Sequence, residues 1–295
     1  MNTAGVVPTL GVVVSYYNPA GQPALRTQTE LCAIRAFASQ DAGLRVEVLV
    51  SDGSGQVDAE LKARLDQLGI GYLSTDAPLA FGPGYNQGLR HFAERPEPPQ
   101  LLATCANDVF CDAPTLPLLA GALLTDPGVG CAIPYLSQSD YLTQNAFVAP
   151  IYRRASSMTL NLNVFRTADL ATLGFISEAL SGYFNDTALM IGLRRMGKYV
   201  VIINGGNVVH LGRTTTSASS MARADQDRET FRRLFPAESK PGAVATKEEQ
   251  LAAGKWNQAW YYLQCRVPRR ARLLMMGISA LALHIKRIWY DLRQS

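Results

Sequence analysis

The side chains able to hold a cation, take up a proton or meet a phosphate fall in short polar turns of this 295-residue chain. Four turns stand out: Ser15-Tyr16-Tyr17-Asn18, Ser51-Asp52-Gly53-Ser54, Gly82-Pro83-Gly84-Tyr85-Asn86-Gln87-Gly88 and Ala106-Asn107-Asp108-Val109. Asp186, in Phe184-Asn185-Asp186-Thr187, and His210, in Val208-Val209-His210-Leu211, follow later. A carboxylate can ligate a hard cation or act as a base, and a histidine can do either near neutral pH. Each of these residues also has a plain structural reading. Asp52 before Gly53 can accept local backbone N–H groups as a turn residue. Asp108 can cap a turn or a helix start, as can Asp112, and Asp186 stands where a helix N-cap would. The Gly82–Gly88 run has dinucleotide-loop spacing, yet it follows the third strand rather than the first. The chain has no GxxxxGK[ST] loop and no GxSxG elbow, which argues against a P-loop NTPase and an ordinary α/β-hydrolase.

The elements that must position these turns are legible for the first half of the chain. Leu10–Ser15 is β-branched and continuous, as befits a strand buried on both faces. A helical stretch over 24–39 leads to a second strand, Arg45–Val50, closed by Ser51-Asp52-Gly53-Ser54-Gly55. Helix 58–68, strand Gly71–Ser74, helix 85–93 and a strand over 101–104 complete a βαβαβαβ rhythm. That rhythm implies an α/β fold with a mostly parallel sheet, because parallel neighbours need crossovers. Ligands of such sheets bind beyond the carboxyl ends of the strands, where the polar turns lie. Residues 137–160 read as a long loop or irregular strands. A helix over 187–196 and a strand over 199–203 restore order, and 213–222 form a polar segment. Helical stretches over 223–234, 247–265 and 269–292 close the chain.

Composition narrows the classes further. The chain is 47 % hydrophobic and 18 % charged, which excludes a disordered protein. Five cysteines, with no CxxC pair, give neither a disulfide framework nor structural zinc; they read as buried small hydrophobes in a reducing compartment. The N-terminus lacks a basic n-region, so no secretory signal is expected, and no apolar run is long enough to span a bilayer. The net charge of +4 is uneven. Arg266, Arg269, Arg270, Arg272, Lys286, Arg287 and Arg293 face Asp291 alone in the tail, leaving the rest slightly acidic. The basic character belongs to the tail, not to a nucleic-acid-binding face.

Taken as a set over residues 8–212, the four turns resemble those of the inverting family-2 glycosyltransferases of GT-A fold, in a form similar to bacterial polysaccharide rhamnosyl- and galactosyltransferases. The resemblance implies a GT-A domain over 1–222 and a C-terminal helical extension over 223–295. It implies a nucleotide-diphosphate sugar donor held by Ser15, Tyr17, Asn18, Asp52, Gly82, Asn86, Asn107 and Asp108. Asp52 falls where that family binds the nucleotide base, although Ser51 replaces its first Asp. Asp108 aligns with the last acid of the D-x-D turn, the ligand of Mg²⁺ or Mn²⁺, while Ala106 replaces the first. Asp186 falls where the family keeps its general base, with Asn185 and Ala188 in place of the accompanying acids. A helix N-terminus would help keep that base ionised. His210 falls where an H-x-G histidine meets metal and diphosphate. The implied acceptor is a hydroxyl of a glycan, in particular a lipid-linked one, in cell-surface polysaccharide synthesis such as O-antigen. The losses at 51, 106, 185 and 188 keep a catalytically silent glycan-binding or scaffold protein open. A nucleotidyltransferase is disfavoured, since Ser15–Gly21 contains no Lys or Arg.

The tail has its own reading. Eleven apolar residues, Leu273–Leu283, lie between basic flanks and are followed by Trp289 and Tyr290. This is the pattern of a helix over 266–292 lying in the plane of an anionic membrane surface. The alternative is a helix packed on the catalytic domain or forming a homodimer seam. With a cytoplasmic enzyme, the membrane reading implies peripheral association with the cytoplasmic face of the inner membrane.

Overall fold

The computed structural model describes residues 7–238 except 42, 135, 137–151, 156–157, 204–205 and 212–219. The expected helices over 247–265 and 269–292 lie outside the described residues.

The chain builds β1 (Thr9–Tyr16), α1 (Pro23–Phe37), β2 (Arg45–Asp52), α2 (Ala59–Gln67), β3 (Gly71–Ser74), α3 (Phe81–Ala93) and β4 (Leu101–Ala106). There follow β5 (Val109–Cys111), α4 (Thr115–Thr125), β6 (Val129–Pro134), β7 (Tyr152–Arg154), β8 (Leu162–Arg166), α5 (Thr167–Thr172), α6 (Asn185–Arg195), β9 (Tyr199–Ile203), β10 (Val208–His210) and α7 (Ser220–Leu234). Eight strands form one sheet in the order β3-β2-β1-β4-β8-β6-β9-β7, and β10 pairs with β5 in a separate ribbon. β1 runs parallel to β2 and β4, β2 to β3, and β6 to β9. The antiparallel members are β8, inserted between β4 and β6, and β7 at the edge. Strand order reverses between β1 and β4, which makes the crevice at their carboxyl ends the natural ligand position.

The continuous apolar run of β1 is buried on both sides. Leu10, Val12 and Val14 join the core cluster under α1 and α2. Val13 joins Tyr85, Leu89 and Phe92 of α3 on the opposite face. α3 lies close against the sheet: a Cβ on Gly88 would come within 2.6 Å of Val13 Cγ1. The glycine-rich run is therefore not an open phosphate loop. It forms the first two turns of α3, and helix begins at Phe81 rather than near Tyr85.

α7 packs on α6. Phe231 joins Leu180, Ala188 and Ile191 in a third cluster. Among the described residues no helix is long and apolar enough to cross a membrane.

Candidate active site

The first two turns converge on a cleft of about 340 Å³ at the carboxyl ends of β1 and β2, lined by Asn18, Asp52, Ser54, Gln56, Asp58 and Glu60 among others. Asn18 is buried and shapes the turn after β1. Its backbone N–H donates to Ser54 Oγ at 2.7 Å, its Nδ2 to Tyr16 Oη at 2.7 Å and to the Gln22 carbonyl at 2.9 Å. Asp52 forms the floor with no exposed surface. One carboxylate oxygen accepts the Ser54 N–H at 2.8 Å, and the other accepts the Tyr72 hydroxyl. Asp52 thus first fixes its own turn, the local structural role its Asp-Gly setting allows.

Beside it, Asp58 caps α2 by accepting the Leu61 N–H at 3.1 Å and also binds Tyr16 Oη at 2.7 Å and Arg26 Nε at 2.9 Å. Burial pushes its carboxyl up, but these donors outweigh it and hold the pKa below the ordinary value. Sequence reasoning passed over Asp58; Asp two residues ahead of an acidic helix start was its only signal. Ser15 pairs with Ser51 on one side and Ala106 on the other, at the end of β1. Tyr17 follows β1 and is 46 % exposed.

Asp108 and His210 come together although a hundred residues separate them. The β5–β10 ribbon places His210 opposite Val109, and Leu211 N–H donates to the Asp108 carbonyl at 3.0 Å. His210 Nε2 then lies 3.4 Å from Asp108 Oδ2, both side chains being less than a tenth exposed. His210 Nδ1 lies 3.3 Å from Asn161 Nδ2; the amide donates to Nδ1 in this orientation, and a half-turn of the amide would let its oxygen accept Nδ1–H and leave Nε2 as the ligating nitrogen. A carboxylate oxygen and an imidazole nitrogen this close match two adjacent ligands of one ion, each at about 2.1 Å. Among the described residues no three of His, Cys, Asp and Glu are grouped so that they alone could hold a metal ion. A cation here would take its remaining ligands from phosphate and water, the habit of Mg²⁺.

Three expected donor contacts are engaged elsewhere. Asn107 Nδ2 donates to Thr29 Oγ1 at 3.2 Å and ties the turn after β4 to α1. Asn86 is wholly buried; its Nδ2 donates to the Ile176 carbonyl at 2.8 Å and Glu178 Oε1 at 3.0 Å, while its Oδ1 accepts the Ile176 N–H at 3.0 Å. A Cβ on Gly82 would stand 2.6 Å from the Ser177 carbonyl oxygen. Asn86 and Gly82 thus dock the segment 176–178 on the start of α3. The Asn86 amide has protein partners on both its oxygen and its nitrogen.

Asp186 lies one residue inside α6 instead of ahead of it. The N-cap position belongs to Phe184, held in the left-handed region at φ 63°, with no side-chain cap. Such a conformation costs a non-glycine residue about 1–2 kcal/mol, so its surroundings must enforce it. Asp186 Oδ1 accepts the Thr187 N–H at 2.7 Å and the Thr187 hydroxyl at 3.2 Å. Burial nevertheless lifts its pKa above the ordinary carboxylate value. The helix start does not win that contest, contrary to expectation; desolvation does. α6 leads directly into β9, which runs parallel to β6, so the start of α6 lies at the same sheet edge as the ends of β1, β2 and β4.

The described cysteines are all buried and unbridged. Burial raises the Cys111 thiol to about 12, which suits packing and not thiolate chemistry.

No protein-family profile matches the chain, and no curated protein matches its sequence. Solved structures do match in shape. GalNAc-T7 with UDP, GalNAc and Mn²⁺ superposes with a TM-score of 0.56 at 12 % identity, over 89 % of this chain and 52 % of that one. The chain therefore spans about half the length of that protein. The mannosyltransferase PcManGT from Pyrobaculum calidifontis, with GDP-Man and Mn²⁺, gives 0.55 at 18 % identity over 96 % and 88 %. Glucosyl-3-phosphoglycerate synthase from Mycobacterium tuberculosis, with Mn²⁺, UDP and glucosyl-3-phosphoglycerate, gives 0.54 at 16 % over 77 % and 79 %. The mixed α/β sheet, its strand order and these superpositions agree: the chain has the GT-A fold.

Proposed function

We propose that this protein is a metal-dependent, inverting glycosyltransferase of the family-2 type that moves a sugar from a nucleotide-diphosphate donor to a glycan hydroxyl. The observation that carries the reading is the Asp108–His210 pair, a ready-made two-ligand site at the strand-order reversal. Three solved neighbours hold Mn²⁺ together with UDP or a GDP-sugar, which supports the same cofactor and donor class here.

Asp108 Oδ2 and His210 Nε2 would hold Mg²⁺ or Mn²⁺, with the Asn161 amide turned so that its oxygen accepts the Nδ1–H of the ring. When bound, such an ion offsets the negative charge that gathers on a departing diphosphate. The cleft between Asn18, Ser54 and Asp58 would take the nucleoside. Asp186 would accept the proton of the attacking hydroxyl as that oxygen bonds to the anomeric carbon. The sugar–phosphate bond breaks with its electron pair leaving on the diphosphate, and the anomeric centre inverts. A base raised by burial sits nearer the working pH than a free carboxylate and is better matched to that transfer.

A lipid-linked glycan acceptor fits a basic, apolar tail over 266–292 resting on anionic lipid at the cytoplasmic membrane face. Removal of 266–295 should then abolish sedimentation with phosphatidylglycerol vesicles; unchanged binding would refute the anchor.

The deciding experiment is a thermal-shift screen of UDP-, GDP- and dTDP-sugars with and without Mn²⁺, followed by product analysis. One donor should raise the melting temperature only with Mn²⁺, because a ligand of the folded state stabilises by mass action. Binding without turnover would instead favour a silent, glycan-binding role, in line with the substitutions at 51, 106, 185 and 188.

A further inference from the structure

We propose that Asp227, on α7, is the positioning residue for the segment that carries Asp186. This inference rests on the reading of Asp186 as the base.

Asp227 is only 2 % exposed, although it belongs to a helix rich in charge. Its carboxylate is filled entirely from one short segment. Oδ1 accepts the Ser181 N–H at 2.9 Å, and Oδ2 accepts the Gly182 N–H at 2.9 Å and the Tyr183 N–H at 2.8 Å. The Ser181 hydroxyl adds a contact of 3.0 Å to each oxygen. Three successive amides wrapped around one buried carboxylate are charge-assisted bonds in a low-dielectric setting, where each is strongest.

One turn further along α7, Phe231 stacks on Phe184 with ring centroids 5.1 Å apart and planes 26° apart. Asp227 and Phe231 share one helix face by their i, i+4 spacing. Together they grip every residue from 181 to 184, immediately ahead of Asp186. The grip has a local reason to exist. α6 starts without a side-chain cap, and Phe184 occupies a left-handed conformation that its own sequence does not favour. The aim of the first turn of α6 is therefore set from outside, by α7. An apolar side chain at 227 would satisfy packing but leave three buried amides without acceptors. Buried carboxylates are kept where such pairing is complete.

Asp227→Asn presents an N–H₂ group to N–H donors and releases the segment. Misplacement of a reacting group by about 1 Å can lower turnover on the order of 100-fold.

Hydrogen exchange of the full chain, wild type beside Asp227→Asn, tests the proposal. Amides 181–187 should exchange about tenfold faster or more, while those of 45–58 in the nucleotide cleft keep their rates. With the donor found by the thermal screen, kcat should fall at least about tenfold, with donor KM within about twofold. Unchanged exchange at 184–187 would overturn the proposal. So would faster exchange spread evenly over α6 and α7 with kcat per folded molecule intact, the mark of a merely structural contact. Should Asp227→Asn fail to fold, Phe231→Ala serves. It must speed exchange at 184–187, and unchanged rates there would overturn the grip. Asp186→Asn separates the two ideas: turnover retained in that variant removes the base, while the exchange result decides Asp227 independently.

Discussion

His210 Nε2 lies 3.4 Å from Asp108 Oδ2, and the two-stranded ribbon of β5 and β10 holds them there. Under the proposed function the pairing completes a half-motif, with Ala106 where an acid would stand, as a two-ligand site. The second ligand comes from a strand far along the chain.

Asp186→Asn should lower turnover by roughly 10²–10⁴-fold and leave donor binding unaltered. It should also leave the fold at least as stable. Burial raises the folded-state pKa of Asp186, so the native protein binds the proton more tightly than the unfolded chain. Stability tied to this group is full below the ordinary carboxylate pKa and lost as pH rises through the raised value. At pH 7 the Asn variant should therefore melt no lower than wild type. Any advantage should vanish in acid, where Asp186 is already neutral. Melting curves at both pH values check the sign.

Asp58 behaves in the opposite sense. Donors from Leu61, Tyr16 and Arg26 hold its pKa down, so its contribution is present above the ordinary carboxylate pKa and lost as pH falls through the depressed value. Asp58→Ala removes the α2 cap and one partner each from Arg26 and Tyr16. Urea unfolding at pH 7 should show a loss of about 1–3 kcal/mol, shrinking in acid.

Gly88→Ala should destabilise the fold by about 1–3 kcal/mol, since the new methyl would meet Val13 with no slack. Denaturant midpoints measure this. Metal and nucleotide affinity should not change, because Gly88 serves helix packing.

The parts of the fold written locally were legible. β1 announces itself by a β-branched run and β2 to β4 by short apolar stretches between helical ones, and polar turns follow β1, β2 and β4. Asp108 stands out in one of those turns and His210 in a later run, and the β5–β10 ribbon brings them side by side. Sheet order is not a local property, and β8 shows why. Its five residues insert antiparallel between β4 and β6, with a buried Asn163 interrupting an otherwise apolar stretch. Nothing in that run specifies its neighbours. Asn86 and Gly82 illustrate a second gap. Their motif was visible, but their partners at 176–178 lie some ninety residues away, so support of a loop and contact with a ligand look alike in sequence. Asp227 is the extreme case: one acid among many on a charged helix, distinguished only by the three amides folded around it.

The most direct test of the account is Mn²⁺ titration of the full chain by calorimetry, with UDP or GDP present, in wild type and in Asp108→Ala. The account predicts saturable binding in wild type and a loss of at least about tenfold in the variant, with the nucleotide's own contribution falling alongside. Equal Mn²⁺ affinity in the two proteins, or no binding in wild type, would contradict it.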